Sequence, residues 1–157
     1  TVKDASDSVP SGGQWTWGAR GWWYRYADGT YPSNTAKTID GQVYRFDADG
    51  YMRTGWVFEQ GNWYYHTLSG AQASGWVLDG VSWYYMDPAT GTMVTGWVKD
   101  GSHWYYLNPA NGKMKTGWHY EDGSWYYLKP GSGQMATGRL WIVWKYYRFA
   151  DNGALIR

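Results

Sequence analysis

Residues 95–115 read TGWVKDGSHWYYLNPANGKMK, and this stretch decides the fold. Two tryptophans, Trp97 and Trp104, stand seven residues apart with Asp100-Gly101 midway between them. Asp-Gly is a strong two-residue hairpin signal because both residues accept positive φ. The stretch therefore predicts a β-hairpin: one strand carries Trp97-Val98, a tight turn follows, and a second strand carries Trp104-Tyr105-Tyr106. Asn108-Pro109-Ala110-Asn111-Gly112 then supplies residues that form turns, each for its own steric reason.

Working outward, the pattern repeats. Gly-Trp recurs at Gly55-Trp56, Gly75-Trp76, Gly96-Trp97 and Gly117-Trp118, and Trp-Tyr-Tyr begins at Trp63, Trp83, Trp104 and Trp125. The two tryptophans are seven apart in all four units, and the period is 20, then 21, then 21. Only the stretch from Trp-Tyr-Tyr to the next glycine changes length, which places the variation in a surface turn where chains tolerate it. Weaker copies begin at Trp23, Val43 and Tyr146, making about seven second strands. Degenerate ends suit a solenoid, whose terminal repeats have a neighbour on one side only. The expected organisation is a linker over 1–14, degenerate repeats over 15–54, four full repeats over 55–137 and a degenerate terminal repeat over 138–157.

A two-residue turn centred on Asp79-Gly80 or Asp100-Gly101 places Trp76 directly opposite Trp83, and Trp97 opposite Trp104, ~4.5–5.5 Å apart at Cβ. In the other two full units the glycine, Gly61 or Gly123, comes later, and a longer or bulged turn is expected. Alternation along a strand sends Trp83 and Tyr85 to one face, Tyr84 and Met86 to the other. An isolated hairpin is marginal in water, so neighbours must stack. The fold class is all-β: an elongated solenoid of about seven stacked hairpins, with an aromatic seam where one unit meets the next.

Composition agrees. Leu, Ile, Val and Phe together number only 21 of 157 residues, while 14 Trp and 16 Tyr take over burial. The formal net charge of +1, with Lys and Arg scattered, argues against nucleic acid and against an anionic membrane surface. No disulfide framework or thiolate metal site is available without cysteine. The absence of a signal-like start or a long apolar run leads to the expectation of a mature or excised piece without membrane insertion.

Catalytic, metal and cofactor sites are not expected. His66, His103 and His119 lack metal-ligand spacing and are assigned to turns or strand surfaces. Asp47-Ala48-Asp49-Gly50 resembles the start of a calcium loop, but the Glu at position 12 is missing, so a turn is expected. Glu59, Glu121 and Asp122 lie in hairpin loops, with no sign of the two converging carboxylates of a glycosidase. Ser and His show no nucleophile arrangement.

The unit starting at Thr95 resembles the choline-binding repeat of pneumococcal and phage cell-wall hydrolases and surface proteins. The strong match covers roughly residues 50–138. The resemblance implies a left-handed solenoid and an extracellular, wall-bound module that holds choline of phosphocholine-bearing teichoic and lipoteichoic acids, anchoring a parent hydrolase or surface protein. A quaternary ammonium has no N–H to donate, and aromatic faces attract it by ~0.5–2 kcal/mol per contact. By the resemblance, two rings of each cage are Trp56 with Trp63, Trp76 with Trp83, Trp97 with Trp104, and Trp118 with Trp125. The third ring comes from the following unit: Tyr85, Tyr106 or Tyr127, or alternatively that unit's Trp. Met93, Met114 and Met135 would line the pocket floor. Tyr64, Tyr84, Tyr105 and Tyr126 are expected to pack only.

At the ends, Arg139 stands in a tryptophan's place, Val43 replaces another, and Trp15, Trp17, Trp22 and Trp23 crowd together without clear register. Three or four working sites, all central, are therefore expected. The family sometimes dimerises through its final hairpin, which extends to this chain as an expectation. The competing assignment is a glucan-binding repeat of a secreted enzyme or toxin, but such repeats are richer in Tyr and Phe.

Overall fold

In the computed structural model, which describes residues 9–157, every regular element is a β-strand. The expected linker lies partly outside the described residues. The strands are β1 (Gln14–Gly18), β2 (Gly21–Arg25), β3 (Thr35–Ile39), β4 (Gln42–Phe46), β5 (Gly55–Glu59), β6 (Asn62–His66), β7 (Gly75–Asp79) and β8 (Ser82–Met86). They continue with β9 (Gly96–Asp100), β10 (His103–Leu107), β11 (Gly117–Glu121), β12 (Ser124–Leu128), β13 (Gly138–Ile142), β14 (Lys145–Phe149) and the two-residue β15 (Leu155–Ile156). Consecutive strands pair as seven hairpins among the described residues, and β15 adds a third strand to the last.

The register corrects one expectation. Trp97 pairs with Tyr106 and Trp104 with Lys99, not with each other. The turn is centred one residue later than Asp-Gly alone implies. Gly80 (φ 62°) and Gly101 (φ 61°) take the first turn position, and Asp79 and Asp100 end the strands. That is the II′ arrangement, in which the first central residue needs positive φ and glycine supplies it. A second correction concerns the units with the later glycine. Gln60-Gly61 (φ 49° and 80°) and Asp122-Gly123 (φ 49° and 83°) form two-residue turns of the I′ kind, neither longer nor bulged. Trp56 thus pairs with Tyr65, and Trp118 with Tyr127, in the same register as the Trp97 hairpin. A displacement of two residues preserves the face, so the two tryptophans of a hairpin remain diagonal neighbours on one side.

The chain divides into two compact units, one ending at Gly75 together with Met86–Thr92, the other comprising Trp76–Tyr85 and Met93–Arg157. In both, the segment after each hairpin stitches the stack together. In the second unit Met114 N–H donates to Trp83 O of β8 (2.7 Å), while Lys115 N–H donates to Tyr106 O of its own hairpin (2.8 Å). Met135 and Ala136 repeat this with Trp104 and Tyr127. In the first unit Met52 bonds Trp22, and Gln72 bonds Val43. These four connectors are thereby each held between their own hairpin and the preceding one.

From β4 onward the last residue of every second strand is buried: Phe46, His66, Met86, Leu107, Leu128 and Phe149. The connector side chain is seated by a turn glycine one repeat later. A Cβ on Gly133 (φ 75°) would lie 2.4 Å from the Met114 sulfur, and one on Gly112 equally close to that of Met93. Glycine is required there twice over, for its backbone angle and for the space. Asp47 closes its turn by accepting the N–H groups of Asp49 and Tyr51 at 2.9 Å.

Two histidines are buried, contrary to the surface assignment; His103 alone is exposed. Arg45 donates to His66 Nε2 (3.1 Å), so the ring proton sits on Nδ1, which donates to Gly70 O (2.7 Å). Burial, reinforced by the Arg45 charge, holds this imidazole below its ordinary pKa. His119 is likewise depressed, by burial and then by Lys115. Both rings stay neutral when folded and protonate more readily when unfolded, so stability is full above pH 6.5 and lost as pH falls through the lower folded-state values. Thermal unfolding should shift to lower temperature between about pH 7 and about pH 5, and His66→Gln should reduce that slope.

Candidate functional site

Concave aromatic recesses open where one hairpin meets the connector and second strand of the next. One is lined by Trp76 of β7, Trp83 of β8, Tyr105 of β10 and Met114, with Gly131 and Ser132 at its edge, and encloses about 270 Å³. The Trp76 and Trp83 rings stand at 87° with centroids 6.5 Å apart, and Tyr105 meets Trp76 at 69° and 4.8 Å. Three ring planes at steep angles form the walls of an open box. The next recess repeats the arrangement with Trp97, Trp104, Tyr126, Met135 and Asn152 around about 310 Å³. There Tyr126 meets Trp97 at 64° and 5.2 Å. Trp83 and Trp104 are each about two-fifths exposed, which leaves an indole face free for a ligand. Pockets for drug-sized ligands occupy ~300–1,000 Å³, so these recesses suit a small group.

The tyrosine that lines each recess is the middle one of Trp-Tyr-Tyr. Tyr105 and Tyr126, expected to pack only, both pack edge-on against tryptophan and face the opening. Tyr85 and Tyr106 lie buried, each against the first tryptophan of its own hairpin at 5.0 and 5.1 Å, and Tyr127 meets Trp118 at 5.0 Å. The stitching explains the difference. The connector sits between two hairpins, so it is the strand face turned toward the preceding hairpin that completes the box. Met114 and Met135 line the recesses, and Met93 is seated against Gly112.

Trp118 and Trp125 stand at 89° and 6.2 Å, and their recess of about 380 Å³ is closed by Leu155 and Arg157, with Tyr147 at 5.0 Å from Trp118. Trp56 and Trp63 repeat the perpendicular pair at 87° and 6.3 Å. At the other end, the crowded tryptophans resolve. Trp15 pairs with Tyr24 and Trp17 with Trp22, which puts Trp15 and Trp22 in the positions of Trp97 and Trp104. Tyr44 meets Trp15 at 62° and 4.8 Å, and a recess of about 210 Å³ is lined by Trp15, Trp22, Tyr44, Met52, Leu68 and Ser69. The signal was present in sequence: Trp15 and Trp22 are also seven residues apart.

The second hairpin is built differently. Ala36 and Val43 stand where tryptophans would, and Arg45 occupies the place of the buried tyrosine. Its guanidinium lies 3.7 Å over the Tyr64 ring and donates to Glu59 (2.9 Å), His66 and Gln72. The protein's own cation thus covers the tyrosine equivalent to Tyr105.

These features are those of a known repeat. Residues 34–74 and 94–140 match the model described as "Choline-binding repeat", and residues 74–93 match "Putative cell wall binding repeat". The chain belongs to the choline-binding repeat family. CbpJ from Streptococcus pneumoniae TIGR4 is similar with TM-score 0.84 and 36% identity over 90% of this chain and 51% of that one. Choline binding protein F from the same species, solved with a peptidoglycan analogue, gives TM-score 0.82 and 35% identity over 90% and 51%. The pneumococcal cell-wall endolysin from phage Cp-1, solved with choline, gives 0.60 and 38% over 85% and 39%. This choline-binding repeat chain spans about half the length of the first two proteins. No curated protein sequence matches it significantly.

Proposed function

We propose that this chain is a non-catalytic wall-binding module that captures choline groups of teichoic and lipoteichoic acids at the cell surface, anchoring a larger parent protein. The observation that carries the reading is the three-walled box of Trp76, Trp83 and Tyr105 with its half-exposed indole, repeated at Trp97, Trp104 and Tyr126. A trimethylammonium group offers methyls to bury and a diffuse charge without N–H donors, which aromatic faces recognise and hydrogen bonding alone cannot. The recesses at Trp118/Trp125 and Trp15/Trp22 are proposed as further sites of the same kind, as is the Trp56/Trp63 pair, which extends the expected central set to the N-terminal end. Each cage alone binds weakly; several on one stack meeting a polymer that carries many cholines gain ~10²–10⁴-fold in avidity.

Titration with millimolar choline, followed by tryptophan emission and thermal unfolding, tests the reading. Choline is expected to change the emission and raise the melting temperature while dextran does neither. A response to dextran alone would reassign the tryptophans as sugar-stacking platforms.

A further inference from the structure

The two central recesses have a partner that their aromatic walls do not account for. Trp76 Nε1–H donates to Asp100 Oδ2 at 2.9 Å, and Trp97 Nε1–H donates to Glu121 Oε2 at 2.6 Å. In each case the carboxylate ends the first strand of the next hairpin, 24 residues along the chain. Glu121 also accepts from the Tyr106 hydroxyl at 3.5 Å. The same strand position holds Ile39 beyond Trp15 and Ile142 beyond Trp118, and both isoleucines are buried in the small apolar clusters that close the two ends of the chain. The carboxylate is therefore a feature of the inner recesses and not a requirement of the hairpin.

We infer that Asp100 and Glu121 are positioning and charge-setting residues that make the Trp76/Trp83 and Trp97/Trp104 recesses selective for a cationic ligand over a neutral one of the same shape. This rests on the proposed capture of choline. Three effects act together. Accepting the indole N–H fixes the ring as a wall, and a carboxylate on that N–H polarises the indole, so that its face becomes a better partner for a cation. The charge also lies within one indole's breadth of the recess, close enough for direct attraction. Glu121 is about one-third exposed on its side chain, so solvent weakens that attraction without abolishing it. Where isoleucine replaces the carboxylate, that position offers the indole N–H no anionic acceptor, and the Trp118/Trp125 recess is bordered by the charged Arg157 instead.

The test uses the whole chain labelled with ¹⁵N at the indoles, so that the N–H signals of Trp76 and Trp97 report each recess separately. Choline is titrated against its uncharged isostere 3,3-dimethylbutan-1-ol, into the wild type and into Glu121→Gln and Asp100→Asn. The amides still accept the indole N–H but carry no charge. Glu121→Gln should weaken choline at Trp97 by about three- to tenfold and leave the neutral alcohol unchanged there. Asp100→Asn should do the same at Trp76. The lost choline affinity should be the salt-sensitive part, so the two proteins should converge at high ionic strength. Equal weakening of both ligands would mean that the carboxylates only hold the rings in place, and no change in either would make them incidental; each result overturns the inference. A wild type whose Trp97 signal ignores choline would instead remove the proposed function, and this inference with it.

Discussion

Arg45→Ala should lower the unfolding free energy by about 3–5 kcal/mol, the range for breaking a buried charge network by removing one partner. Arg45 is 7% exposed, and its loss strands Glu59, His66 and Gln72, which it holds together while covering Tyr64. Glu59 is 42% exposed on its side chain and can turn to water, which places the expected loss toward the lower end. His66 cannot, because it is buried. Arg45→Met should recover part of the loss by restoring volume without charge. Chemical denaturation of the two variants checks this. If Arg45→Ala unfolds within about 1 kcal/mol of wild type, the network contributes little and the hairpin is held by its backbone stitching. The number of cholines bound should not change in either variant, since the second hairpin supplies no tryptophan pair.

Trp104→Ala should remove choline binding at one recess by tenfold or more, while costing less stability than truncating Trp97. One favourable cation–π contact of ~1–2 kcal/mol, together with the lost burial of methyl groups, sets that scale. The contrast comes from how the two rings are held. Trp104 is 40% exposed and serves the recess. Trp97 packs against Tyr106, His119 and Tyr126 and bonds Glu121, so Trp97→Ala damages the fold as well as the site. Calorimetric titration of Trp104→Ala should give one site fewer with the melting temperature nearly kept. Undiminished stoichiometry would show that the exposed indole is not a wall of a working cage.

Much of this was legible in the chain. The seven-residue spacing of tryptophans, the constant Gly-Trp interval and the turn residues after each Trp-Tyr-Tyr predict hairpins and their number, because a two-residue side-chain period and positive-φ turns are local properties. The Trp-x-x-acidic spacing at Trp56, Trp76, Trp97 and Trp118 is equally local, yet its meaning was hidden. Asp100 and Glu121 lie near their own tryptophans in sequence and bond the one a hairpin earlier, whereas Glu59 bonds Arg45. The exact pairing was also hidden, since Asp-Gly accommodates two turn frames and only the II′ frame puts the glycine first.

By itself, the sequence determined that this protein is a row of aromatic hairpins and which tryptophans share a face. Tertiary structure decided which tyrosine completes each recess, that Trp15 and Trp22 form one, and that Arg45 fills the space where another would lie. The physical reason is that each recess is closed by the next repeat. A connector bonded to two hairpins sets which strand face is turned toward the preceding hairpin, and that face carries Tyr105 and not Tyr106. No periodicity within one repeat contains that orientation.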